Sequence, residues 1–505
     1  MTQAELAGRA GVSRVHLANV ERGRRRPPRR DILQQLVNAL ELPADSEAAV
    51  QLYRQAGYQP PSTPALIPPD YARLIQRLLP KAANGRRDQD SPIELPSREV
   101  ARRALDRLPD VVDEPEAVLN AALILLGSAS DEPGAPPVIL SAGIADEVQA
   151  VPGARHLLRL AVQKALALGR PFEHLLPAGQ DARTLVQRST EMLSFVNQEG
   201  AYRPYLIEQT QSPSLPGDLL IVPESGALLS LKTATGSGAV RVFRDQPSIG
   251  LLAGHAAFAT ANGQPIPLEL LVGDEVGQYA ASTAAGHDGA NLVDGEDDVL
   301  FVGRGPALHL VPPEVWNGWT RPLIRHAAPA DRPAQRAYLE QLREYQTGLW
   351  DAFIREDRFP RSRELYSLEA IREFIRDGRM TEWDRLAPDL PAIPADERAE
   401  VMLDMLQWLH SCRQVEIGLL DAYPPELGDL SVTVQGSRRV FLHSSLLSQH
   451  RPVTLAIDQP TIAAAFQHYI DELWNALSPR WRDKTRICRW LDGQLDLLSP
   501  VGDIG

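Results

Sequence analysis

The sequence predicts a multidomain α + α/β chain: a small all-α head, a helical connector and a duplicated α/β body. Three observations lead there. The N-terminal stretch carries three short amphipathic helical patterns, the first two joined by a tight turn. Proline-rich spacers then cut the chain into segments. One block, Asp245-Gln246-Pro247-Ser248-Ile249, returns as Asp458-Gln459-Pro460-Thr461-Ile462, each time after an apolar strand-like run. A length of 505 residues suits this plan, since a domain holds roughly 100 to 200 residues.

In the head, Leu6, Ala7 and Ala10 share one helical face, with Thr2 and Glu5 spaced as a capping box. Gly11-Val12-Ser13 makes the turn: glycine tolerates the positive φ that ends a helix, and serine caps the next one. The second helix, Arg14 to Arg22, turns Leu17 and Val20 inward and leaves Arg14, Val15, His16 and Asn19 outward, with Gly23 as its stop. A third helix over Ile32 to Leu42 packs through Leu33, Leu36, Val37 and Leu40. The first two helices form a helix-turn-helix.

Charge separates along the chain. The formal net charge is −13, which excludes a polyanion-binding coat over the whole surface. Nine arginines against six acids give residues 1–60 a net of +3, so the total leaves −16 on the remainder. Eight arginines lie between Arg9 and Arg30 against one acid, Glu21. Only four of the 52 basic residues are lysines, a skew that makes arginine content alone a poor sign of phosphate binding. Two cysteines, Cys412 and Cys488, exclude a disulfide framework and a four-cysteine zinc site. The N-terminus lacks the pattern of a signal peptide and no apolar run spans a bilayer, so the expected place is the cytoplasm, with no membrane partner.

The string Thr-Gln-Ala-Glu-Leu-Ala-x-x-Ala-Gly-Val-Ser-Arg-x-x-Leu-x-x-x-Glu-Arg-Gly-x-Arg-x-Pro, read from Thr2 to Pro27, resembles the XRE, or phage-repressor-like, helix-turn-helix family of bacterial transcriptional regulators. The resemblance covers about the first 45 residues. It implies that Gln3 opens the first motif helix against the DNA backbone. It places Ser13, Arg14, Val15, His16 and Asn19 on the recognition helix in the major groove, with Arg22, Arg24, Arg25 and Arg26 near phosphates. Arginine pairs bidentately with guanine and asparagine with adenine, so Arg14 and Asn19 are the expected base readers. The family normally has another helix before the Thr-Gln pair, whereas this sequence begins at Met1. Either the start codon lies upstream or this copy is shortened.

The Pro-rich run after Tyr58 marks the first boundary, and Asp131 to Pro137 the second. The expected domains are a DNA-binding head at 1–58, a Pro-rich linker and helical connector at 59–135, a first α/β half at 136–325, and a helical segment with a second half at 326–505. Helical patterns fall near 70–79, 97–108 and 114–127.

The repeated block opens a helix in both copies, through aspartate capping and early proline, and His255 and His468 follow six residues after each isoleucine. Asp218 to Val222 with Ala227 to Leu231 matches Asp429 to Val434 with Arg439 to Leu442 as a hairpin. Phe172 to Leu176 is matched to Val415 to Leu420. The order helix, strand, helix, hairpin, strand, helix therefore reads twice. By this order of elements, each half resembles the phospholipase D-like α/β fold used as a sensor domain in TrmB-type and related regulators. That resemblance implies two sensor halves packed pseudo-symmetrically, with a site for an unidentified effector between them.

Catalytic signatures are missing. Active phospholipase D enzymes carry His-x-Lys, and none of the eleven histidines has lysine two residues on. There is no His-Glu-x-x-His, no phosphate-binding Gly-x-x-x-x-Gly-Lys loop and no Gly-x-Ser-x-Gly elbow. Gly303-Arg304-Gly305 lacks the third glycine of a dinucleotide fingerprint and reads as a turn. The acidic stretch from His287 to Asp298 misses EF-hand spacing and reads as an exposed loop. No catalytic residue, cofactor or metal is expected. His255 and His468 read either as matched sensor residues or as helix-surface histidines. The aromatic set Phe466, Tyr469, Trp474, Trp481 and Trp490 reads as core or dimer contact. Arg336 to Arg379 reads as helices, belonging either to the second half or to a dimerisation arm.

The expected protein is a regulator that binds double-stranded operator DNA as a homodimer through its head, with a non-catalytic sensing body. Two alternatives stay open at this point: a nuclease or phosphodiesterase targeted by the head, and an antitoxin-like or scaffold protein that represses its own promoter.

Overall fold

The computed structural model describes residues 3–9, 12, 30–40, 42, 48, 52, 97–130, 132, 134–141, 154–167, 169–196, 201–208, 218–232, 238–272, 299–305, 361–379, 392–411, 415–428, 430–444 and 453–498. Their helices and strands, in chain order, are α1 (Gln3–Arg9), α2 (Arg30–Ala39), α3 (Arg98–Leu105), β1 (Val111–Val112), α4 (Pro115–Gly127), β2 (Val138–Ser141), α5 (Ala154–Ala167), β3 (Phe172–Pro177), α6 (Ala182–Met192), β4 (Tyr202–Ile207), β5 (Asp218–Val222), β6 (Gly226–Lys232), β7 (Gly238–Phe243) and α7 (Gln246–Asn262). There follow β8 (Gln264–Pro265), β9 (Leu268–Val272), β10 (Val299–Gly303), β11 (Ser362–Ser367), α8 (Leu368–Asp377), α9 (Ala395–Ser411), β12 (Val415–Leu420), β13 (Ser431–Gln435), β14 (Arg439–Ser444), β15 (Val453–Asp458), α10 (Pro460–Ala476) and α11 (Lys484–Leu498). The chain divides into two compact units, one of residues 1–170 with 215–256, the other of residues 171–214 with 257–505.

In the first unit, five strands run in the order β1-β7-β6-β5-β2, each neighbour antiparallel to the next. β5 is buried throughout, which is why Asp218-Leu-Leu-Ile-Val reads as a continuous apolar run rather than an alternation. Its leading aspartate is matched locally: Ser141 Oγ donates to Asp218 Oδ1 at 3.3 Å and accepts from the Leu219 amide at 2.7 Å. Helix α4 is apolar almost all round and buried from Val118 to Leu126, as expected of a helix enclosed by packing rather than laid on a surface. A buried guanidinium anchors the turn after it. Arg170 donates to Ser130 O and to Glu224 Oε2, both at 2.8 Å, while Glu224 Oε1 accepts from the Ser130 amide.

In the second unit, β3 pairs with β4 in parallel, and β4 pairs with the short β8 antiparallel. A seven-stranded mixed sheet runs β12-β11-β10-β13-β14-β15-β9. Its strands β10, β11 and β12 are parallel, and β13, β14 and β15 form an antiparallel meander. One face of the parallel trio carries Tyr366, Ile417 and Leu419 into a core with Ile371 and Phe374 of α8, Val401, Met402, Met405 and Leu409 of α9, and Ile487 and Leu491 of α11. The other face meets α10. A Cβ on Gly418 would lie 2.8 Å from Leu365 and 3.0 Å from Trp474 of α10, so glycine is what lets helix and sheet approach there.

A pairing pattern recurs. β3 and β4 are parallel and aligned first residue to first residue, as are β11 and β12. β5 is antiparallel to β2 as β13 is to β10, and each leads a three-strand meander. β7 is flanked by the earlier strand β1, and β15 by the earlier strand β9. The helix after each meander, α7 or α10, is the one opened by the repeated Asp-Gln-Pro block.

Three expectations are corrected. The counterpart of Phe172–Pro177 in this pattern is Ser362–Ser367, not Val415–Leu420, and a 3-10 turn (Pro425–Leu427) stands between β12 and the hairpin where a helix was expected. The stretch Arg336 to Arg379 is not all helical among its described residues: Ser362–Ser367 is a strand, because Leu365 and its neighbours bury on both faces of the sheet. Aspartate capping holds in one copy only. Asp245 Oδ1 accepts from the Ser248 amide at 2.9 Å, whereas α10 is capped by Gln459, whose Oε1 accepts from the Thr461 amide at 3.0 Å. Asp458 remains the last strand residue and pairs with Arg439 at 2.6 Å.

Helix α8 ends on Gly378 with φ +67°, the left-handed conformation of a helix C-cap. A Cβ there would lie 2.3 Å from the oxygen and 2.9 Å from the nitrogen of Ile393, both main-chain atoms. Gly378→Ala is therefore expected to lower the unfolding free energy by more than about 1 kcal/mol, through strain and through displacement of that backbone. Urea unfolding at matched protein concentration measures it.

Candidate functional sites

The head is built from two small apolar contacts. Ala7 of α1 packs with Leu36 and Ala39 of α2, with Leu6, Val12 and Ile32 against them. Leu33 and Val37, on the adjoining strip of α2, pack with Leu42 and Leu52. The turn after α1 is tied by the Val12 amide donating to Ala7 O at 3.0 Å. Gln3 stands in the first position of α1. Ser13, Arg14, Val15, His16, Asn19, Arg22, Arg24, Arg25 and Arg26 lie outside the described residues.

These contacts join α1 to α2 across a stretch rich in arginine. Residues 1–50 match the family model described as a helix-turn-helix domain. No curated protein matches the chain. Among solved structures the chain is similar to TrmBL2, described as an archaeal chromatin protein with a novel mode of DNA binding, at 10% identity and a TM-score of 0.20. That likeness covers 50% of this chain and 76% of the other, and at such a score it assigns no fold to the body.

Of the two histidines singled out in the body, both are exposed on helices. His255 lies on the surface of α7, and His468 on α10 forms an i,i+4 contact with Glu472 at 3.2 Å. The structure therefore places them as helix-surface residues, apart from any buried polar cluster among the described residues. The aromatic set is core: Phe466, Tyr469 and Trp481 are buried, and Trp481 meets Trp490 edge-to-face at 5.6 Å. Trp474 is half-buried beneath the Arg363 guanidinium at 4.8 Å. The stretch His287 to Asp298 lies outside the described residues. Among the described residues no group of three or more His, Cys, Asp or Glu is placed to hold a metal ion, and no helix is long and apolar enough to cross a membrane.

The buried titratable groups are others. His174, third residue of β3, has its Nδ1 2.6 Å from the Tyr202 hydroxyl of β4 and an edge-to-face contact with Phe195. Burial, with the nearby Arg188 charge adding to it, lowers the imidazole to about 3. Burial also holds the Tyr202 phenol well above its ordinary value, with Glu191 contributing. Glu364 is the third residue of β11, the same place in the recurring pattern. It accepts from the Tyr366 hydroxyl and from Ser362 Oγ at 3.3 Å. Burial pushes its carboxyl up to about 7 against those two stabilising hydrogen bonds.

On the face that carries Glu364, register places Phe301 beside it, then Thr433. His443 spans the meander there, Nε2 to Thr433 Oγ1 and Nδ1 to Thr454 Oγ1, both at 3.0 Å, and burial lowers it to about 4. Sequence reading passed over these residues because no spacing motif joins them. The available signal was a charged or polar residue in the interior of an apolar strand run, as in Phe-Glu-His-Leu-Leu.

These groups oppose one another in pH. Glu364 is raised, so the native state holds its proton longer than the unfolded chain; its stabilisation is complete below about pH 4.5 and is lost as pH rises through about 7. His174 is lowered, so its contribution is complete above about pH 6.5 and is lost as pH falls toward about 3. Between roughly pH 4.5 and 6.5 the Glu364 slope opposes those of His174 and His443, and the two histidines outweigh it. Glu364→Gln is expected to steepen the rise in stability between about pH 4.5 and 6.5, and His174→Gln to flatten the acid limb. Each effect is on the order of a few kcal/mol at most. Urea midpoints from pH 3 to pH 8 for wild type and both variants test the signs.

Proposed function

We propose that the chain is a DNA-binding transcriptional regulator whose head reads an operator and whose body senses a signal without catalysis. The observation that carries the reading is the coincidence of the helix-turn-helix match over residues 1–50 with the net-positive segment of an otherwise acidic chain. Arginine bunching supplies the sequence-independent phosphate term, and outward side chains on a recognition helix supply the base contacts. In this reading Ser13, Arg14, Val15, His16 and Asn19 face base edges, and Arg22, Arg24, Arg25 and Arg26 lie along phosphates. The body comprises two phospholipase D-like halves, supported by the recurring strand pairing and by the repeated Asp-Gln-Pro block. The absence of His-x-Lys from the sequence supports a role without phosphodiesterase chemistry. The working form is a cytoplasmic homodimer, since a helix-turn-helix pair on a pseudo-palindrome needs two heads about one DNA turn apart.

The test is binding to DNA from the chain's own promoter across a salt series. Arg14→Ala and Asn19→Ala are each expected to weaken specific binding by about tenfold to a hundredfold while leaving nonspecific binding close to wild type. Arg25→Ala is expected to weaken specific and nonspecific binding alike and to lower the salt slope by about one. Equal affinity for promoter and random DNA in the wild type would sink the reading.

A further inference from the structure

Helices α9 and α11 of the second unit pack side by side over the core that holds Ile487 and Met405. Their outer surfaces frame a groove of about 910 Å³. From this groove we infer the dimer interface: a second copy of this chain docks on it about a two-fold axis. The inference rests on the dimeric reading above and names its surface.

Charge decides the occupant. Beyond residue 60 the chain carries a net −16, so two copies repel over most of their surface. The groove brings both signs together: its α9 wall is acidic, and its α11 wall holds both of its Lys and Arg side chains. The α9 wall presents Glu400 and Asp404, and the α11 wall presents Lys484 and Arg489 together with Asp492, which leaves that wall net positive by one. An isologous contact uses the same patch twice, so it must be self-complementary. A two-fold axis running between the helices sets the acid-bearing wall of one copy against the base-bearing wall of the other. Leu403, on the same wall as the acids, is 55% exposed, while its neighbours Val401, Met402, Met405 and Leu406 are buried in the protomer's own core. It supplies an exposed apolar contact within a polar surface, a combination interfaces use. A nucleic acid is disfavoured by Glu400, Asp404 and Asp492, and a strongly charged protein of either sign meets one matching wall and one opposing wall.

Sedimentation equilibrium of the full chain tests this, with Arg489→Glu, Asp404→Arg, the double variant and Leu403→Asp. The wild type is expected to be a dimer at micromolar concentration. Each single charge reversal should raise the dimer dissociation constant by roughly tenfold or more, and the double variant should return it to within about threefold of wild type. Leu403→Asp, at an exposed position that leaves the protomer core intact, should give monomers with an unchanged thermal midpoint. A monomeric wild type, an unaltered constant in all the variants, or a double variant no better than the singles would overturn the interface. DNA binding is read separately on the same samples. Dimers that survive every groove variant while Arg14→Ala abolishes operator binding remove the interface and leave the function. Groove variants that dissociate a dimer lacking promoter specificity do the reverse.

Discussion

The second unit depends on one constraint, that the parallel strands β10, β11 and β12 are covered on both faces. Such cover leaves the inward side chains no solvent, so polar groups there must find partners inside, while Arg363 and Glu416 pair with one another at a partly exposed margin. Leu365 and Gly418 accommodate α10 on one side, and Tyr366, Ile417 and Leu419 accommodate α8, α9 and α11 on the other. The one charged side chain turned into the second face, Glu364, keeps both carboxyl oxygens hydrogen-bonded by Ser362 and Tyr366 from its own strand. Local partners two residues away on the same face are the cheapest solution, because strand geometry already aims them together. The high proton affinity of the carboxyl follows from the same burial.

The corresponding place in β3 holds His174, whose Nδ1 is paired across the strand pair with the Tyr202 hydroxyl rather than along the strand. The two sites thus share a position and a tyrosine hydroxyl but not an ionisable group, and their charge states respond to pH in opposite directions. His443 reinforces the histidine limb from the meander, with Thr433 and Thr454 holding both ring nitrogens. Such opposed buried groups bound stability from both sides, the carboxyl toward neutral pH and the histidines toward acid.

Legibility in the sequence followed how local each determinant is. The hairpins, the strands before the Asp-Gln-Pro blocks, and helices α3, α4, α7 and α10 are readable because periodicity, turns and caps lie within ten residues of one another. β11 was hidden, since Ser-Arg-Glu-Leu-Tyr-Ser has neither an apolar run nor a bounding glycine, and only packing on two faces makes it a strand. The register of the repeat failed for the same reason, with β12 taken for the partner of β3. The cap of α10 moved from Asp458 to Gln459 because Asp458 is engaged by Arg439 across the strand pair, an interaction of long range in sequence. In the head, Ala7, Leu33, Leu36 and Val37 are buried as their helical spacing required. The buried sites at His174 and Glu364 carried no motif, because their partners are set by strand register rather than by sequence spacing.

The head and body pose opposite electrostatic problems, and screening separates them. At physiological ionic strength the Debye length is about 8 Å, so a contact between an arginine and a phosphate is governed by the charges within about that distance. The acidic remainder of the chain acts on approach, where its field opposes any orientation that brings the body toward DNA. Segregating the charge therefore gives orientation without lowering contact affinity, which an even mixture of the same 52 basic and 65 acidic residues would not do. The same acidic excess opposes self-association everywhere except where both signs are present in register. Under the dimeric proposal, contact between copies favours a patch that carries both signs, such as the α9–α11 groove, and the selection is made by what the remaining surface repels.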